Sequence, residues 1–158
     1  MKRVLLALAV LATGCAHGGV TSTGAAGLAG KPHAPLGLDA LVGVDEQQDP
    51  VLESTLCQSL VELNHGDVEC PSSRRATREL ARTRAMINAA DTAVPENLTQ
   101  QTPHHVTATL SHAGTDFVLK LDYFDAADGA SKASAQVTAS SFDELVQKAP
   151  DAAKALLQ

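Results

Sequence analysis

The sequence predicts a two-layer mixed α/β domain: a three-stranded antiparallel meander plus short N-terminal strands, packed against two to three helices. Three observations predict it. Residues 105–140 alternate apolar and polar side chains in three runs, the period-two signature of strands with one buried face. The runs are joined by Ala113-Gly114 and Asp128-Gly129, the small and acidic glycine-bearing pairs that hairpin turns use. Segments on both sides place leucine and alanine at helical spacing, and a sheet with one wet and one apolar face takes helices as its second layer.

In the meander, Val106, Ala108 and Leu110 share a face opposite Thr107, Thr109 and Ser111. Phe117, Leu119, Leu121 and Tyr123 oppose Val118, Lys120, Asp122 and Phe124, and Ala133, Ala135, Val137 and Ala139 oppose Ser134, Gln136 and Thr138. Earlier in the domain, Leu38 to Val44 reads as a short edge strand. Asp49-Pro50 reads as a helix start, Asp as N-cap and Pro at the first helical position. Leu52, Leu56, Leu60 and Leu63 then carry a first helix to about Asn64, ended by His65-Gly66-Asp67. Val68 to Cys70 is briefly extended, and Pro71-Ser-Ser73 opens a second helix. That helix places Ala76, Leu80 and Ile87 on one side. Arg74, Arg75, Arg78 and Arg82 fall within roughly a third of its circumference on the other. Residues 89–103, interrupted by Pro95 and Pro103, read as a partly helical connection. Ser141-Phe-Asp-Glu144 is a capping box for a final helix, with Phe142, Leu145, Val146, Ala149, Ala153, Leu156 and Leu157 as its apolar stripe, kinked or split at Pro150.

The 158 residues hold one domain and a targeting segment. With no Trp, one Tyr and three Phe, the core is built from Leu, Val and Ala, which bury less area each and stabilise less at roughly 25 cal/mol per Å². The formal charge of −6 argues against a nucleic-acid partner, because neutralising phosphates needs a basic surface.

Met1-Lys-Arg is followed by an apolar run from Val4 to Ala12 and then Thr13-Gly14-Cys15. The run is too short to span a bilayer, which takes about 20 apolar residues, and its flanks are those of a signal peptide. With Cys directly after Ala12-Thr13-Gly14, the segment resembles a bacterial lipoprotein signal, although Ala12 stands where Leu is commonest. The resemblance implies that Cys15 is lipidated and becomes the new N-terminus, and Ala16 after it favours sorting to the outer membrane. Cleavage there removes Lys2 and Arg3 and moves the charge from −6 to −8, so acyl chains supply the membrane affinity. The glycine-rich stretch from Ala16 to Pro35 reads as a flexible tether with an r.m.s. span of about 25 Å. The expected organisation is signal peptide 1–14, lipidated Cys and tether 15–36, and a periplasmic domain 37–158. Cys57 and Cys70 remain as an even pair in an oxidising compartment, a disulfide candidate; the alternative is two buried thiols that never meet. Such a short closed loop would stabilise by about 3 kcal/mol.

Motifs for chemistry are missing. His104, His105 and His112 lack the further ligands a metal site needs, and adjacent strand residues point to opposite faces, so no metal is expected. Asp122, Asp125 and Asp128 lack the ligand spacing of an EF-hand and read as turn residues. Asn97-Leu-Thr99 has the glycosylation pattern, which has no meaning in a bacterial lipoprotein. There is no phosphate loop, nucleophile elbow or paired zinc motif, so neither an enzyme nor a cofactor is expected.

The segment from Val106 through Leu110, His112-Ala-Gly-Thr-Asp, Phe117 to Phe124 and Asp125-Ala-Ala-Asp-Gly129 is similar to the C-terminal half of the TolB N-terminal-like and curli-secretion-lipoprotein-like α/β domain. Lipoprotein activators of penicillin-binding proteins share that fold. Two departures stand out: the family's strong first strand is reduced to Leu38–Val44, and its Gly-rich strand before the meander is replaced by the Pro-interrupted stretch up to Pro103. The resemblance implies a non-enzymatic adaptor of the cell envelope, a lipid-anchored outer-membrane protein with its domain in the periplasm. Arg74, Arg75, Arg78 and Arg82 are the expected surface for a carboxylate-rich or phosphate-bearing partner; a solvated helix face is the plain alternative. A small-ligand or metal carrier, or a structural lipoprotein with no dedicated partner, are the competing functions.

Overall fold

The computed structural model describes residues 19–23, 35–65, 68–87 and 102–158. The signal peptide, Cys15 and the connection around Pro95 lie outside them. Six strands form one mixed sheet in the order β1-β6-β5-β4-β2-β3. They are β1 (Val20–Thr23), β2 (Leu36–Leu38), β3 (Val68–Glu69), β4 (His104–Ala113), β5 (Asp116–Asp125) and β6 (Ser131–Ala139). The helices are α1 (Asp49–Leu63), α2 (Pro71–Ile87) and α3 (Phe142–Leu157). A two-layer α/β domain results, with α1 and α3 against one face of the sheet.

The meander falls where the alternation places it. Leu119, Leu121, Val106, Ala108 and Val137 are fully buried, while Thr107, Lys120, Asp122, Gln136 and Thr138 lie on the other, partly or fully exposed face. Ala113↔Asp116 is the last β4–β5 pair, leaving a two-residue loop whose Gly114 has φ +66°, a conformation costly for side-chain-bearing residues. The wider β5–β6 turn is closed by its own acids: Asp125 accepts from the Ala127 amide at 2.9 Å and Asp128 from the Ala130 amide at 2.9 Å. This is what Asp does in turns. Of the three aspartates expected to be turn residues, Asp125 and Asp128 hold backbone, Asp128 also pairing with Lys132, whereas Asp122 lies within β5 and pairs with Lys120 at 2.9 Å.

Leu52, Leu56 and Leu60 of α1 and Leu145, Ala149, Ala153 and Leu156 of α3 meet Leu119 and Leu121 in the core. Ser141 caps α3, accepting from the Glu144 amide at 3.2 Å. The Glu144 carboxylate reaches back one residue further than a capping box prescribes, to the Ser140 amide at 2.9 Å and hydroxyl at 2.7 Å.

Four expectations are corrected. The strand expected over Leu38–Val44 is Leu36–Leu38, and it is internal, parallel to β4 on one side and to β3 on the other. Only Val42, bridged to Thr109, continues toward Val44. Gly43 follows at φ +77°, where a Cβ would meet the Leu110 carbonyl oxygen at 2.2 Å, so only glycine lets the chain pass this close to β4. Second, the expected tether contributes β1: Val20-Thr-Ser-Thr23 pairs antiparallel with β6, Val20 opposite Val137. Its short β-branched run is hidden in sequence by the glycines around it. Third, the N-cap of α1 is Gln48 rather than Asp49, because a turn bonded from Gln48 N to the Asp45 oxygen leads the chain into helical geometry early. Fourth, Pro150 does not split α3. The missing N–H costs one helix bond, yet buried Leu145 and Ala149 before it and Ala152, Ala153 and Leu156 after it pin both turns to the sheet.

Candidate functional site

α2 is built differently from the other helices. Its first turn holds no acidic residue, although four orphan N–H groups and a partial positive charge gather at any helix start. Glu53 of α1 fills the role from outside: its carboxylate accepts from the Ser72 amide at 2.7 Å and from the Arg75 guanidinium at 2.8 Å. Glu53 is buried, which a carboxylate tolerates only when paired. Cys70, just before α2, is joined to Cys57 of α1 as a disulfide, Cα atoms 6.1 Å apart. On the other side Arg74 donates to the Leu38 carbonyl at the end of β2 and lies 3.5 Å from Asp39 Oδ1. His105 Nδ1 is 3.4 Å from the same oxygen, in ion-pair range without the angle of a hydrogen bond. Thr102 Oγ1 stands 3.4 Å from His105 Nε2.

Beyond Arg75 no side chain of α2 is fastened to another element among the described residues. Residues 76–80, 82, 83 and 86 are exposed and Ala81 is half-buried; the side chains of residues 84, 85 and 87 are outside the described set. The apolar side expected of α2 therefore does not face the core: Leu80 is 58% and Met86 67% exposed. Arg78, Arg82 and Met86 follow at i, i+4 and i+8, one face, while Ala76 and Leu80 share another. α2 is an arm about 25 Å long at 1.5 Å per residue, held at its root.

The four arginines expected to act as one stripe thus separate. Arg74 and Arg75 are fasteners of the fold, and Arg78 and Arg82 are exposed with no ion pair to any described residue. Sequence reasoning missed Glu53, Asp39 and Leu38, because a cap given by one helix to another has no local spacing to betray it. The histidines are not brought together. His105 serves the α2 root, His104 stacks on Tyr123 with centroids 5.5 Å apart, and His112 sits at the far end of β4 against Phe117 at 4.7 Å. Burial, and then the Asp125 charge, push the Tyr123 hydroxyl pKa upward. Among the described residues no three His, Cys, Asp or Glu side chains could hold a metal ion. An open cleft of about 740 Å³ lies between α1 and the α2 root, walled by Glu46, Asp49, Glu53, Val61, the disulfide and Arg75.

A sheet with β2 between parallel β3 and β4, continued by an antiparallel meander and backed by two helices, defines the class: a two-layer α/β domain. Solved structures share this fold. One is a point variant of the PelC dodecamer from Paraburkholderia phytofirmans, at TM-score 0.56 and 17% identity over 88% of this chain and 97% of that one. Another crystal form of the PelC dodecamer from the same organism gives TM-score 0.56 and 15% identity over the same shares. No protein-family model matches the sequence, and no curated protein matches it. No described helix is long and apolar enough to cross a membrane.

Proposed function

We propose that this chain is a non-enzymatic, lipid-anchored protein of the bacterial cell envelope that works as an accessory subunit of a protein assembly, docking through the α2 arm. The observation that carries this reading is a helix fastened at its root and exposed at most of its described positions beyond it, with Leu80 and Met86 in water. Exposed apolar side chains on a fixed helix suit a partner surface, and Arg78 and Arg82 suit an acidic one. A second copy of this acidic chain meets both requirements. The neighbours of like fold are dodecamers, and a helix so exposed fits a heterologous contact that closes into a ring. The charged start, short apolar run and Cys15 support the anchor, and the TolB-like meander supports an adaptor.

The carrier alternative loses its apolar gap, since the space between meander and helices is filled by fully buried Leu52, Leu56, Leu119, Leu121 and Leu156. Cross-linking in intact cells, followed by solubilisation and mass spectrometry, tests the adaptor reading. Expected are multiples of the chain's own mass or one reproducible partner, reduced by Arg78→Glu with Arg82→Glu and absent from a Cys15→Ser control. Recovery of background envelope proteins alone would sink the reading. Arg74 is left intact in the variant, since its loss would loosen the root and confuse folding with docking.

A further inference from the structure

We infer that the end of the sheet carrying the β4–β5 turn and the start of α3 is the face this domain lays against a phospholipid bilayer; the inference rests on the lipid-anchored reading. β1 sets the geometry. It runs antiparallel to β6 with Val20 opposite Val137 and Thr23 opposite Ser134, so β1 begins at the Ala139 end of β6. Four residues separate Cys15 from Val20, five Cα steps with a reach of at most about 18 Å even fully extended. The ten-residue β4 and β5 are each about 33 Å long. A lipidated Cys15 therefore holds the Gly114-Thr115 end close to the membrane and leaves the Asp125–Ala130 turn far from it. The long leash read from composition is cut to a short one.

That near end carries Phe117 and Phe142, two of the chain's four Phe and Tyr residues; Tyr123, buried, and Phe124 lie toward the other end of β5, opposite Val106 and His105. Phe117 sits between His112, centroids 4.7 Å apart, and Phe142 at 6.1 Å; both phenylalanines are half-buried and His112 is exposed. Aromatic rings partly in water are suited to the headgroup boundary of a bilayer. The charged groups nearby are Asp116, Asp143 and Glu144, the last paired with Lys148. They are mainly acidic, so the contact depends on the rings and the anchor and gains nothing from anionic lipid. The α2 root, beside Asp39 and His105, stands at the opposite end of β4, so the arm starts on the side away from that face.

With Cys15 acylated and Cys57 bonded to Cys70, one added thiol can be labelled selectively. The test places a fluorophore at Thr115→Cys or Ala127→Cys in the full lipidated chain, bound to phosphatidylethanolamine–phosphatidylglycerol vesicles containing headgroup spin-labelled lipid. Quenching is expected to be at least threefold stronger at position 115 than at 127, and Phe142→Ser should lessen it at 115 while the protein still floats with the vesicles. Equal quenching at the two sites in floating protein overturns the orientation and leaves the anchor standing. Unchanged quenching in Phe142→Ser overturns the aromatic contact. Failure of the wild-type chain to float overturns the anchor reading and this inference with it.

Discussion

The meander with α3 and the α2 arm are both amphipathic by sequence, yet they meet opposite fates. In α3, Leu145, Ala149, Ala152, Ala153 and Leu156 are all buried in the core that α3 forms with α1, β5 and β6. In α2, Ala76 and Leu80 point into water. The difference lies in fastening: α3 is held along its length by apolar burial, whereas α2 is held at its start by a disulfide, a borrowed carboxylate and two arginines, Arg74 and Arg75. Periodicity shows that a helix has a face; it does not say that the same chain covers it.

The contrast can be broken first in the core. Leu121→Ala should lower unfolding free energy by about 2–5 kcal/mol, while Leu80→Ala should change it by no more than about 0.5 kcal/mol. Equal shifts in denaturant midpoint would mean that α2 packs on the body after all. Next, removing the disulfide with paired Cys57→Ser and Cys70→Ser should cost about 3 kcal/mol for so short a loop. Amide exchange should quicken in residues 71–83 more than in β4 to β6, and uniform quickening would contradict a root-specific role. Glu53→Ala should follow, at about 1–3 kcal/mol, by stripping a buried acceptor from Ser72 and Arg75. If exchange at Ser72 stayed slow, the borrowed cap would be unimportant.

The smallest effect sharpens the α3 side. Glu144 is held down to about 2, chiefly by its hydrogen bond from Lys148 and then by the Ser140 hydroxyl and amide. A carboxylate depressed from its ordinary 4.5 stabilises the fold fully above that pH and loses the contribution as pH falls toward 2. Glu144→Gln should therefore flatten the stability profile between those values, an effect weakened in high salt because the group is exposed. An identical pH profile in the variant would remove Glu144 from the account of acid sensitivity.

The sequence made some parts of this molecule plain and hid others for identifiable reasons. The meander was legible because one buried face forces strict alternation from Val106 to Ala139, and the α3 cap because Ser141 and Glu144 act within one turn. β1 was hidden because four residues among glycines carry no period, although pairing with β6 orders them. β2 was displaced because Leu36 follows Pro35 directly and counts with the linker, so the expected strand begins only at Leu38. The arginines were read as one surface because spacing reports a helix face and cannot report that Leu38 and Glu53, distant in sequence, claim two of them.

The most direct test of the central claim, that the α2 arm joins this chain to its partner, is the native mass of the mature protein in mild detergent. Wild type should sediment as a multimer, and Leu80→Glu with Met86→Glu should sediment as a monomer with an unchanged melting temperature. A variant that assembles as wild type does, or a wild type that remains monomeric at every concentration and alone when isolated from the envelope, would contradict it.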